Sequence, residues 1–153
     1  SSAAYFFAIG ALTRSTIRVE NLNPVSLQAD RKFLDILEQM GSFFLYGENE
    51  ITIEGNGVTS LEIDMQDCPD QVMTVAVLAA CAKGVTRISG ISSLRYKETD
   101  RIFALKTELK KRGIKAEDTE DTFTIYGGYP KAATIDSYND HRMAMAFAVL
   151  GTH

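Results

Sequence analysis

At 153 residues, 45% of them hydrophobic, the chain is long enough to bury one good core and falls in the range of a single domain. A net charge of −4 and a pI near 5.2 provide no overall basic field; nucleic acid and an anionic membrane surface are therefore poor partners, and any anion site must be built locally. The two cysteines, Cys68 and Cys81, form no metal-ligand pattern and no disulfide framework, which suits a reducing compartment. The longest apolar stretches run to about a dozen residues, too short to cross a bilayer.

The chain opens on Ser1-Ser2-Ala3-Ala4-Tyr5-Phe6-Phe7 with no initiator methionine, as though at the start of a helix. Residues Ala3 to Leu12 are apolar nearly all round, the composition of a helix in the centre of a domain. A strand follows at Thr16 to Val19. Asp30 to Met40 then carries one apolar stripe and a charged face, which predicts an outer amphipathic helix ending at Gly41. Phe43 to Tyr46 and Ile51 to Glu54 have the composition of a strand hairpin.

The order then recurs about seventy residues later. Gln71 to Ala82 is a second apolar helix and Val85 to Ile88 a second strand. Asp100 to Arg112 is a second amphipathic helix, ending at Gly113, with a hairpin from Ile114 to Glu117 and Thr122 to Tyr126. Asp30-Arg31-Lys32-Phe33 aligns with Asp100-Arg101-Ile102-Phe103, and a third copy starts at Asp140-His141-Arg142, matching Asp70-Gln71-Val72. The expected fold is α/β (α+β), built from helix-strand-helix-strand-strand units of about 1–69 and 70–139, with a truncated third unit, 140–153. Its apolar helices should run roughly parallel inside, with amphipathic helices and sheets outside. Parallel inner helices gather their N-terminal ends on one electropositive face, a good place for a phosphate or carboxylate.

The polar clusters fall on that face. Asp67-Cys68-Pro69-Asp70 leads into the second inner helix, Tyr138-Asn139-Asp140-His141-Arg142 into the third, and Ser93 to Arg101 into an outer helix. Asp70 and Asp140 suit N-caps, and capping alone would account for both. Arg95, Lys97 and Arg101 stand against the helix dipole, which favours a functional role. Cys68 lacks a neighbouring base and is taken as structural, and Met143 and Met145 as core.

Arg95-Tyr96-Lys97-Glu98-Thr99-Asp100-Arg101 resembles the R-x-K-E-(S/T)-D-R signature of the EPSP synthases, and Asn139-Asp140-His141-Arg142-Met143-Ala144-Met145 resembles that family's N-D-H-R-M-A-M segment. Asp64-Met65 through Pro69-Asp70 to Met73-Thr74 is similar to its D-M-x-x-x-P-D-x-x-M-T stretch, and Ser1 to Phe6 to its S-S-A-x-Y-F helix start. The resemblance implies transfer of the enolpyruvyl group of phosphoenolpyruvate to the 5-hydroxyl of shikimate 3-phosphate, with no metal or organic cofactor; for a microbial source the expected location is the cytoplasm, whereas a plastid would need a transit peptide. It implies Asp70 as proton acceptor and Glu98 as the acid exchanging a proton with the phosphoenolpyruvate methylene. Lys97 would reach shikimate 3-phosphate, Arg101 and Arg142 would clamp phosphoenolpyruvate, and His141 would line the pocket in a supporting role. Ser93 departs from an asparagine found in several members, though a serine still donates one hydrogen bond. The family fold has two lobes, so the chain would be most of one lobe, with the other lobe as its partner and little turnover alone. The alternatives are a UDP-N-acetylglucosamine enolpyruvyl transferase, whose corresponding segments lack the K-E-T-D-R and N-D-H-R-M patterns, and a non-catalytic repeat domain.

Overall fold

The computed structural model describes residues 3–97, 99–136 and 138–153, with the side chains of all of these except Ser26 and Ala29. Its first helix, α1 (Ala3–Thr13), leads into strand β1 (Thr16–Val19). Helix α2 (Pro24–Gln39) starts well before the Asp30 expected from the sequence. The physical reason is an overlooked start signal: the Asn23 side chain accepts from the Val25 N–H at 2.8 Å, and Pro24 supplies a preset φ where no N–H is needed. Asp30 is thus inside the helix, on the stripe of Phe33, Leu34 and Leu37, and is buried with them.

Strands β2 (Phe43–Gly47) and β3 (Glu50–Glu54) form the expected hairpin, and β1 pairs antiparallel with the other edge of β3, giving the order β1-β3-β2. The sequence did not reveal β4 (Glu62–Asp64), which is too short to display an alternating pattern. It runs parallel to β5 (Gly84–Ser89) at the edge of a second sheet, completed by β6 (Lys115–Asp118) and β7 (Thr122–Gly127) in the order β4-β5-β7-β6. Between β4 and β5 lies α3 (Val72–Ala80), preceded by a 3-10 turn at Pro69–Gln71, and between β5 and β6 lies α4 (Arg101–Lys111), preceded by a 3-10 turn at Ser92–Tyr96. The final helix is α5 (His141–Leu150).

Helices α1, α3 and α5 pack against one another, and every residue of α3 is buried. An apolar helix surrounded on all sides needs no polar face, which is why its sequence has none. The residues just beyond the C-terminal ends of these helices, Arg14, Lys83 and His153, line one cleft of about 490 Å³, so the three run in the same general sense. The cations Arg14 and Lys83 suit the negative ends of the α1 and α3 dipoles.

The two helix-strand-helix-strand-strand units match in backbone detail. The Gly41 N–H donates to the Glu38 carbonyl and the Gly113 N–H to that of Lys110, both at 3.0 Å, with φ of 122° and 78° that favour glycine. The Thr59 N–H donates to the Met40 carbonyl at 2.9 Å, and the Lys131 N–H to the Arg112 carbonyl at 2.8 Å. Asp64 accepts from the Gln66 N–H, and Asp136 from the Tyr138 N–H, each at 2.8 Å. In this register Phe33 corresponds to Leu105, Ile36 to Glu108 and Met40 to Arg112. The Asp30-Arg31 alignment with Asp100-Arg101 is therefore out of step: Arg31 is exposed and Arg101 buried. Likewise the caps Cys68 and Asp140 correspond, so the counterpart of Asp70 is Arg142.

Candidate active site

Three helix starts meet on one face. Asp70 lies in the turn ahead of α3, Arg101 opens α4, and Asp140 and Arg142 stand at the start of α5. Arg101 Nε donates to Asp140 Oδ2 at 2.7 Å, and a second guanidinium nitrogen reaches Oδ1 at 3.3 Å. The remaining edge of Arg101 faces the Asp70 carboxylate at 3.5 Å, and Arg142 approaches the other Asp70 oxygen at 3.6 Å. The result is an alternating row: Asp140, Arg101, Asp70, Arg142.

Burial divides this row into an inner and an outer pair. The side chains of Asp140 and Arg101 are 0% and 4% exposed, whereas those of Asp70 and Arg142 are 50% and 31% exposed. A buried ion pair must be fully satisfied to persist. Asp140 meets that condition by also accepting from the N–H groups of Arg142 at 2.9 Å and Met143 at 3.4 Å, which makes it both the cap of α5 and the anchor of Arg101. Arginines in the first turn of a helix oppose its dipole, and the two carboxylates offset that cost. Asp70, by contrast, is no cap: the residue capping its turn is Cys68, and its own carboxylate is turned to the arginines. A cleft of about 220 Å³ opens beside it, lined by Asp30, Asp67, Cys68, Pro69, Gln71 and Arg142.

The site residues expected from the sequence divide into groups. Asp70, Arg101 and Arg142 are brought together. The side chains of Ser93, Lys97 and His141 are exposed and make no hydrogen bond or ion pair among the described residues. Glu98 lies outside the described residues. Arg95, in the same motif, serves the fold: it donates to Asp118 at 2.9 Å and to the Thr119 carbonyl at 2.6 Å, tying the Ser92–Tyr96 turn to the β6–β7 hairpin. With a lysine also donating from Lys106 at 2.9 Å, those bonds hold the Asp118 carboxyl below its ordinary value despite partial burial. Burial pushes the Cys68 thiol up and the Cys81 thiol to about 12, so neither is a thiolate nucleophile.

Asp30 and Gln71 are cleft residues that the sequence reading missed. An acid on the apolar stripe of α2 was the available signal for Asp30. Gln71 is nearly buried, and its side-chain carbonyl oxygen has no hydrogen-bond partner among the described residues. Among the described residues no three His, Cys, Asp or Glu side chains gather to hold a metal ion, and no helix is long and apolar enough to cross a membrane. Chemically, the row offers one half-exposed carboxylate for proton transfer and one accessible guanidinium that can fork onto a carboxylate or phosphate.

The family model for EPSP synthase (3-phosphoshikimate 1-carboxyvinyltransferase) matches residues 1–153. The 3-phosphoshikimate 1-carboxyvinyltransferase of Methanoculleus marisnigri is 44% identical over 152 residues, covering 99% of this chain and 36% of the relative. That of Shewanella oneidensis is 43% identical over 151 residues, covering 98% and 35%. A solved structure of EPSP synthase from Acinetobacter baumannii superposes with a TM-score of 0.84 at 29% identity, covering 99% of this chain and 38% of the other. This chain thus spans little more than a third of the length of the proteins it matches. The motifs, the fold and these matches agree that the chain belongs to the EPSP synthase family.

Proposed function

We propose that residues 1–153 form part of one lobe of a protein that transfers the enolpyruvyl group of phosphoenolpyruvate to the 5-hydroxyl of shikimate 3-phosphate, in the cytoplasm. In this reading the units of about 1–69 and 70–139, with the start of a third at 140–153, make the lobe, and its partner is the rest of the same polypeptide. The observation that carries the proposal is the row Asp140, Arg101, Asp70, Arg142 at three converging helix starts.

The reaction is an addition followed by an elimination. As the substrate oxygen bonds to C2 of phosphoenolpyruvate, its proton leaves and C3 gains one, giving a tetrahedral ketal phosphate. Loss of a C3 proton and departure of phosphate then restore the double bond in the product. Asp70, half-exposed beside the cleft, takes the hydroxyl proton. Glu98 is the acid assigned to C3, an assignment that rests on its motif. Arg142 meets the phosphoenolpyruvate anion directly, and Arg101 contributes only the guanidinium edge beside Asp70, because its other edge is committed to Asp140. Lys97, exposed ahead of α4, reaches for shikimate 3-phosphate, and Ser93 and His141 complete the rim. Exclusion of water requires the opposing lobe.

Steady-state kinetics of the parent protein test this. Arg142→Ala should raise KM for phosphoenolpyruvate by about a hundredfold, the loss of a charged, forked hydrogen bond, with a smaller effect on KM for shikimate 3-phosphate. An unchanged KM for phosphoenolpyruvate would remove Arg142 from the site.

A further inference from the structure

Towards its C-terminal end and at its cap, α4 carries two buried charges where α2 and its cap are apolar. Ile36 in α2 and Met40, which caps its C-terminal end, are fully buried, and their counterparts are Glu108 in α4, 0% exposed, and Arg112 at its C-terminal cap, 8% exposed. Charges are seldom placed in a core unless each finds partners. Both charges hold the same stretch of chain, the one that runs from β7 to α5. Glu108 accepts from the Asp136 N–H at 3.0 Å, from the Tyr138 hydroxyl at 3.1 Å and from Lys111 at 2.8 Å. Burial alone would push its carboxyl up, but these bonds outweigh it and hold the carboxyl below its ordinary value. Arg112 donates to the Ala133 carbonyl at 3.1 Å and lies over the Phe147 ring of α5, 5.1 Å from its centroid.

The stretch they hold ends at Asp140. Just before it, Tyr138 and Asn139 have φ of 56° and 57°, the left-handed region, which a bulky side chain such as Tyr138 rarely occupies. A turn of that kind persists only where its surroundings over-determine it. Glu108 does so by gripping the backbone at Asp136 and the side chain at Tyr138. Beyond the turn, Asp140 sets the rotamer of Arg101 and caps the helix that presents Arg142. Arg101 and Glu108 lie about two helical turns apart on one face of α4, so a single helix holds both ends of this stretch.

We infer that Glu108, acting with Tyr138, is a positioning residue: it fixes the turn that delivers Asp140 to Arg101, and so aligns both arginines of the site. The consequence for turnover rests on the function proposed above; the anchoring does not. The test uses the parent protein carrying Tyr138→Phe, Glu108→Ala or Glu108→Gln, with two readouts. The first is hydrogen exchange at the Arg142 and Met143 amides, with the Val77 amide of α3 as control. The second is KM for phosphoenolpyruvate against kcat.

Tyr138→Phe should speed exchange at Arg142 and Met143 by about tenfold, the loss of one hydrogen bond to a charged group, and Glu108→Ala, which also removes the acceptor of the Asp136 N–H, by more, while Val77 is unchanged in both. KM should rise by a similar factor with kcat less affected, and Glu108→Gln, which still accepts from the Asp136 N–H, should restore most of both. Unchanged exchange at Arg142 and Met143 in a folded Tyr138→Phe protein would overturn the inference, as would acceleration that is equal at Val77, the mark of general destabilisation. Should Glu108→Ala not fold, Tyr138→Phe and Glu108→Gln decide the matter. If the unaltered protein turns over no phosphoenolpyruvate, the functional reading fails and the exchange data still judge Glu108.

Discussion

The outer helices of the two units show how one backbone plan yields a packing element in one place and a site in another. Their shared glycines, Gly41 and Gly113, fix the correspondence from the C-terminal end. Counting back, Pro24, Val25, Leu27 and Gln28 are in α2, whereas their counterparts Tyr96, Lys97, Thr99 and Asp100 lie ahead of α4. The connection from β5 to α4 is also longer than that from β1 to α2. Unwinding the helix start and lengthening the connection exposes Ser93, Tyr96 and Lys97 and brings Arg101 to the first turn, where it meets Asp140 and Asp70. The local sequence similarity of Asp30-Arg31-x-Phe33 to Asp100-Arg101-x-Phe103 conceals this, because the burial of the arginines and phenylalanines is reversed. Arg31 is exposed over the Tyr46 ring and Phe33 is 1% exposed; Arg101 is buried and Phe103 is 62% exposed.

Paired substitutions would break or sharpen that contrast. Arg101→Ala leaves the Asp140 carboxylate buried without its guanidinium and should cost about 3–5 kcal/mol in urea denaturation, whereas Arg31→Ala, at an exposed pair, should cost less than about 1 kcal/mol. Similar losses for the two would mean the reversal is absent. Phe33→Ala opens a core cavity and should cost about 3–5 kcal/mol, while Phe103→Ala should stay within about 0.5 kcal/mol. Next come the caps: Asn23→Ala and Asp100→Ala each remove a side-chain acceptor from a helix start, a loss of about 1 kcal/mol by thermal or urea melts. Equal small losses would show that both helices start where described, despite their different lengths.

The smallest effect is a pH dependence confined to the second unit. The bonds from Arg95 and Lys106 lower the folded-state pKa of Asp118 below its ordinary 3.8. A lowered carboxyl contributes fully above that ordinary value and loses its contribution as pH falls through the folded pKa. The stability difference between the unaltered chain and Asp118→Asn should therefore be steady near neutrality and shrink in acid below about pH 4. A difference that grows on acidification would contradict the assignment.

Much of this was legible in the sequence, for identifiable reasons. The inner helices announced themselves by being apolar all round, and the hairpins by β-branched and aromatic runs between turn residues. What escaped was set by tertiary contact. Asp30 looked like a helix start because an acid before an apolar stripe usually is one, yet Asn23-Pro24 outcompetes it and the carboxylate is buried instead. Pro69 draws the chain into a 3-10 turn, so Asp70 leaves the capping position that its spacing suggested. The meeting of Asp70, Arg101 and Arg142 followed from motifs that crowd three helix starts. The Asp140 pair and the grip of Glu108 did not, since both depend on which faces of α4 and α5 meet. Lys97, Ser93 and His141 are exposed and line no part of the cleft beside Asp70, so their roles rest on motif alone.

The central claim is that the face carrying Asp70, Arg101 and Arg142 is one side of an enolpyruvyl-transfer site that the rest of the parent protein closes. Phosphate release from phosphoenolpyruvate and shikimate 3-phosphate should be measured for this chain alone, for the separately expressed remainder, and for their mixture. The account predicts release from the mixture only, abolished by Glu98→Ala in this chain. Release by this chain alone, or a mixture that sedimentation shows to be assembled and that stays silent with shikimate 3-phosphate but acts on UDP-N-acetylglucosamine, would contradict it.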